Sequence, residues 1–151
     1  MDEFSRRRFL ILVPAAVGLG ALPTVLPGCG GGVPSGTPVD GTVTVQNGEA
    51  TLLFSQFPQL QSVGGAALVS ANSGNDYLVI RTSASRAAAL DAVCTHAHCL
   101  VGYDSGAQNV LCPCHGSKYS TDGTVLRGPA IAALATFPAT LGATGITIKV
   151  A

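Results

Sequence analysis

Tryptophan is missing from this 151-residue chain, methionine occurs once, and charged residues make up only 11% of it. Eight basic residues balance eight acidic ones, so the formal charge is zero. No basic stripe runs along the chain, which argues against nucleic acid as a partner. Nineteen Gly and nine Pro, set against so little charge, argue against long helices and for short strands joined by many turns. The length allows one domain with a tail, and Val, Ile, Leu, Phe and Ala are plentiful enough to build a core. Histidine is scarce as well. All three imidazoles, with four of the five cysteines, fall in two short stretches, CTHAHC at residues 94–99 and CPCHGS at residues 112–117.

The front of the chain stands apart from the core. Arg6, Arg7 and Arg8 precede an uncharged apolar stretch over residues 9–26, the order of an export signal's n-region and h-region. Ser5-Arg6-Arg7-Arg8-Phe9-Leu10 resembles the twin-arginine signal, S-R-R-x-F-L, whose route carries proteins already folded. A retained membrane anchor is the competing reading. Eighteen residues is short for a span, and Pro14, Gly18, Gly20 and Pro23 make a poor helix. Leu26-Pro27-Gly28-Cys29 resembles a lipoprotein processing box, although Pro27 replaces the usual small residue. Cys29 is also the one cysteine outside the two motifs, which lipidation accounts for. The expected division is an export signal over 1–28, a Gly- and Pro-rich tether over 29–40, and a folded domain over 41–151.

From Gly41 the pattern is β. Residues 42–45 alternate, Asn47-Gly48 marks a hairpin turn, and residues 50–54 return. Residues 66–70 and 77–82 flank a polar turn, and residues 133–137 and 146–150 flank another at 141–144. There is no internal repeat, and both Cys/His motifs fall on loops between strands, where sites usually sit.

Cys94-x-His96 and Cys112-x-x-His115 each pair one sulfur with one imidazole. Four such ligands can hold one Zn tetrahedrally, but zinc-finger spacing keeps the cysteines together and the histidines together. A [2Fe–2S] centre with two Cys on one iron and two His on the other uses the mixed set. Cys99 and Cys114, also one per loop, can form a disulfide in an oxidising compartment.

C-T-H-x-x-C followed by C-P-C-H-G-S closely resembles the Rieske iron–sulfur family over roughly residues 66–150, most specifically 94–130. The resemblance implies an all-β fold, an antiparallel base carrying a small two-loop cluster-binding subdomain. It implies one [2Fe–2S] cluster, with Cys94 and Cys112 on one iron, His96 and His115 on the other, and Cys99 paired with Cys114. Ser117 and Tyr119 match the hydroxyl and phenol that high-potential members direct at the cluster's sulfurs, and Gly128-Pro129-Ala130 resembles the loop that covers it. One position departs: His98 stands where the family usually has Gly, which puts the loop's geometry and docking surface in question.

The function implied is one-electron transfer by a subunit rather than a complete enzyme. Its expected setting is a quinol–cytochrome c type complex, with His96 or His115 meeting quinol beside cytochrome b and a haem protein as acceptor. The alternatives are a small subunit of a molybdenum oxidase, as in arsenite oxidase, and a stand-alone electron-carrier lipoprotein. The implied location is exported and membrane-tethered, facing the periplasm or cell exterior.

Overall fold

The computed structural model describes residues 39–150, so the expected export signal, Cys29 and nearly all of the expected tether lie outside the described residues. Twelve strands follow in chain order: β1 Gly41–Val43, β2 Glu49–Leu53, β3 Ala66–Ala71, β4 Asp76–Arg81, β5 Ala87–Asp91, β6 Gly102–Asp104, β7 Asn109–Leu111, β8 Lys118–Tyr119, β9 Val125–Arg127, β10 Thr136–Phe137, β11 Ala139–Leu141 and β12 Gly145–Lys149. One 3-10 turn, Pro58–Gln61, is the only helical element among the described residues, none of which forms a helix able to cross a membrane. The all-β expectation is met.

Three sheets result, ordered β1-β3-β4-β5-β10, β11-β12-β2 and β6-β7-β8-β9. The middle of the first is the key to the rest. β3 and β4 contain the apolar runs Ala-Leu-Val and Tyr-Leu-Val-Ile, buried at every position. Successive side chains of a strand point to opposite faces, so such runs need cover on both sides. Ala67, Val69, Tyr77, Val79 and Ala89 enter one core with Leu52, Ile146 and Ile148 of the three-stranded sheet. Leu68, Leu78, Ile80 and Leu90 enter a second core with Val101, Val110, Tyr119 and the two thiols Cys94 and Cys112. The first core is a β sandwich; the second seats the loop-bearing sheet.

The expected hairpin over 66–82 is present, with β3 and β4 paired from Ala66↔Ile80 to Ser70↔Asp76. The other two differ from expectation. Asn47 and Gly48 both take positive φ, 52° and 77°, and Gln46 and Glu49 exchange backbone bonds around them. The flanking strands then part: β1 pairs with β3 and β2 with β12. Val43, Ala50 and Leu52 all belong to the sandwich core, and they reach it from opposite layers, which one shared sheet would not permit. The β1–β3 pairing is also parallel, so the base is not wholly antiparallel. At the far end the partner of β12 is β11, not residues 133–137; β10 joins β5, and Pro138 separates the two short strands.

Leu78→Ala should cost about 2–5 kcal/mol in urea unfolding, because a fully enclosed site cannot collapse around the lost methyls. Thr51→Ala should cost less than about 1 kcal/mol, since its hydroxyl meets Thr147 across an exposed strand pair.

Candidate metal centre

Two loops built on the same backbone plan make the site. In the first, Val93 bridges Leu100, the Cys94 N–H donates to the Cys99 carbonyl at 2.9 Å, and the His98 N–H donates to the Cys94 carbonyl at 3.0 Å. In the second, Leu111 pairs with Lys118, the Cys112 N–H donates to the Ser117 carbonyl at 2.9 Å, and the Gly116 N–H donates to the Cys112 carbonyl at 3.0 Å. Closing each loop requires a left-handed residue at its fifth position. Gly116 supplies it at φ 75° and His98 at φ 56°. A Cβ at Gly116 would meet nothing within 4 Å, so the preference there is conformational rather than steric. His98 therefore keeps the loop geometry, with its exposed side chain and a backbone cost of about 1 kcal/mol.

The plan sorts the chemistry by depth. Cys94 and Cys112, each opening its loop, are fully buried. His96 and His115 are exposed, with ring centroids 4.9 Å apart and rings nearly perpendicular. Cys99 and Cys114 form a disulfide between the loops. The sulfurs of Cys99, Cys112 and Cys114 lie within 4.8 Å of one another, but two of them are committed to that bond. The sulfurs left free are Cys94 and Cys112, both buried and in contact with each other.

Burial acts to raise the Cys94 thiol, yet hydrogen bonds from Tyr119, the His96 N–H, Cys112 and the Ala97 N–H outweigh it and hold Cys94 below the ordinary thiol range. Cys112 is pushed up, by burial first and then by sharing its hydrogen with Cys94, despite the Cys114 and His115 N–H groups. Each sulfur thus has two backbone N–H donors, an arrangement that favours negative charge on it.

Side chains complete the wall. The Tyr119 hydroxyl lies 3.3 Å from the Cys94 sulfur and 3.1 Å from Thr95 Oγ1. Buried Ser117 accepts the Ala130 N–H at 3.0 Å, leaving its own hydrogen to donate. Thr95 donates to the Ala132 carbonyl at 2.7 Å. The segment after the cis Gly128–Pro129 peptide is therefore hooked to both loops, with Ala130 buried and Ile131 97% exposed between the hooks. Thr95 is the one residue here that the sequence reading passed over; its hydroxyl, next to a candidate ligand cysteine, is the available signal.

Residues 56–138 match the Rieske [2Fe-2S] domain. The chain belongs to the Rieske family. A cytochrome b6-f complex iron-sulfur subunit of Prochlorococcus marinus (strain MIT 9515) is 35% identical over 153 residues, covering 89% of this chain and 79% of that protein. The cyanobacterial plasma membrane Rieske protein PetC3 of Synechocystis PCC 6803 superposes with a TM-score of 0.51 at 29% identity, covering 56% of this chain and 86% of that one. The ferredoxin of carbazole 1,9a-dioxygenase from Nocardioides aromaticivorans IC177 shares the fold, with a TM-score of 0.54 at 15% identity over 67% of this chain and 95% of the ferredoxin. The cofactor of this Rieske protein is one [2Fe–2S] cluster, and its role is electron transfer. Two buried thiols with N–H donors, and two exposed imidazoles in contact with each other, one of each from either loop, suit that cluster's donor set.

His98→Gly should raise unfolding stability by no more than about 0.5 kcal/mol, the left-handed cost of about 1 kcal/mol less glycine's entropic cost of about 0.5–1 kcal/mol; a clear loss on urea unfolding would instead show that the imidazole makes a stabilising contact. Cys99→Ser should lower stability by about 2–5 kcal/mol, and intact-mass measurement before and after reduction checks the bond itself.

Proposed function

We propose that Cys94 and Cys112 ligate one iron of the cluster and His96 and His115 the other. The chain then serves as the iron–sulfur subunit of a quinol–cytochrome c type complex. What carries this reading is that each loop supplies one fully buried thiol and one exposed imidazole, with the two imidazoles in contact across the loops. The cluster, when bound, supplies a one-electron couple. The protein's own groups do the rest. Buried sulfurs and the segment hooked over them keep water from the inner side. The exposed imidazoles are ligand groups a partner can reach, and a ring nitrogen there can accept a hydrogen bond from a quinol hydroxyl.

Tyr119 and Ser117 act on the energy of the couple. Reduction adds negative charge to the iron–sulfur group, and hydroxyl donors hold the reduced form more tightly, which raises the potential. That places the protein toward the upper part of the Rieske range. The b6-f relatives support the quinol-linked setting over a molybdenum oxidase or a free carrier. On this reading cytochrome b lies on the donor side and a haem protein on the acceptor side. Export through the twin-arginine segment and tethering at Cys29 or by the apolar stretch put the domain outside the cytoplasmic membrane.

Replacing any one of Cys94, His96, Cys112 or His115 by Ala should abolish the Rieske electron paramagnetic resonance signal. Tyr119→Phe and Ser117→Ala should keep the signal and lower the midpoint potential by several tens of millivolts. A hydrogen bond to a charged group is worth about 1.5–3 kcal/mol, of which only the redox-dependent part counts, and about 59 mV is a tenfold change for one electron. A His96→Ala protein with a full signal overturns the ligand assignment; unmoved midpoints in both hydroxyl variants overturn the high-potential setting.

A further inference from the structure

Thr95 holds a position between the two parts of the site that differ most in chemistry. On one side its Oγ1 lies 2.7 Å from the Ala132 carbonyl oxygen. On the other it lies 3.1 Å from the Tyr119 hydroxyl. A carbonyl only accepts, and a hydroxyl has one hydrogen, so Thr95 gives its hydrogen to Ala132. Toward Tyr119 it has lone pairs alone. Tyr119 must therefore donate there. Tyr119 also has one hydrogen, and its second neighbour is the Cys94 sulfur at 3.3 Å. A sulfur bound to iron carries no hydrogen and can likewise only accept. One hydrogen thus faces two acceptors.

From this geometry we propose that Thr95 is a positioning residue that draws part of the Tyr119 hydrogen bond away from the Cys94 sulfur, and so holds the reduction potential below what Tyr119 alone would set. The inference rests on Cys94 being a ligand. Its second support is the way the hydrogen of Thr95 is fixed. Ala132 belongs to the covering segment, whose Ala130 is held by Ser117 from the other loop. While that segment is in place, the Ala132 carbonyl lies within reach of the Thr95 hydrogen and takes it, so the Oγ1 lone pairs are what remain toward Tyr119. The covering segment thereby keeps Thr95 an acceptor.

The test is a potentiometric titration of the cluster-loaded protein, followed by paramagnetic resonance, on the parent, Thr95→Val, Thr95→Ser, Tyr119→Phe and the Thr95→Val/Tyr119→Phe double variant. Val keeps the shape of Thr and removes the acceptor. Thr95→Val should raise the equilibrium constant for reduction about three- to tenfold, or roughly 30–60 mV at about 59 mV per tenfold. Thr95→Ser should stay within about twofold of the parent. In the Tyr119→Phe background, which has no hydrogen to share, Thr95→Val should change the constant by less than about twofold, the signature of a coupled pair.

A rise of equal size in both backgrounds overturns the proposal, because it assigns the effect to water entering beneath a loosened segment. No rise, or a fall, with Tyr119 present also overturns it. If Thr95→Val fails to retain its iron, Thr95→Ala is titrated under the same two criteria. Loss of iron from both counts against the proposal, since sharing a hydrogen is not needed to hold a cluster. An unmoved potential in Tyr119→Phe alone sinks the Tyr119–Cys94 bond itself and this inference with it. A lowered potential in Tyr119→Phe without a rise in Thr95→Val leaves that bond standing and removes only the sharing.

Discussion

A sheet that is apolar on both faces must be covered twice, and the rest of this molecule follows from that need. β3 and β4 bury consecutive residues, Leu68 against Val69 and Leu78 against Val79. The three-stranded sheet covers one face and completes a sandwich. The other face receives β6 to β9 with their loops, and the two free thiols take part in that second core. The site is thus not an appendage on a finished domain. Cys94 and Cys112 are among the residues that close the hydrophobic cover, which is why they are fully buried. Burial without charge partners would keep a thiol protonated. At Cys94 the Tyr119 hydroxyl and the His96 and Ala97 N–H groups, with Cys112, outweigh burial, whereas at Cys112 burial and the contact with Cys94 prevail over its N–H groups.

The same turns that bury the sulfurs expose the imidazoles. Each loop spans six residues between paired strand positions, 93 with 100 and 111 with 118. The first residue of each points inward and its histidine lies further out. An electron carrier needs both conditions at once. The low-dielectric side limits the reorganisation of water around changing charge, and the exposed side gives a partner somewhere to attach. The disulfide keeps the two loops facing one another, so neither condition depends on one loop alone.

How much of this was legible beforehand differs by level. The position of the two loops and the Cys99–Cys114 disulfide were legible, because Cys and His are chemically distinctive and confined to two stretches. The β3–β4 hairpin was legible because a polar Gly turn separates two long apolar runs. The other pairings were not. Asn47-Gly48 does form the tight turn its residues dictate, but a turn fixes only its own four residues, and β1 and β2 leave it for different layers. Likewise the strand expected over 133–137 supplies only β10, which joins β5, while β11, beyond Pro138, takes the place beside β12 in another sheet. Local chemistry sets the turn; the demand to cover a shared core decides where the strands go. Thr95 escaped notice for a related reason. A threonine has no distinctive chemistry until its neighbours are known, and those neighbours, Tyr119 and Ala132, lie 24 and 37 positions away.

The loops also separate what backbone and side chain each contribute. Their hydrogen-bond plan is shared, down to the left-handed fifth residue, yet one has His there and the other Gly. Because the plan survives both choices, the fold of the first loop does not depend on glycine. It depends on the bonds that surround that position: Cys94 to Cys99, Val93 to Leu100, and the disulfide to the second loop. Together these over-determine the turn, and an over-determined turn can hold a residue in a conformation it would not choose by itself. His98 can therefore add a third imidazole to the exposed end without loss of the geometry that positions Cys94 and His96. The surface of such a site can vary while its interior stays constant, because the constraint on the interior comes from the strands and sulfurs below it.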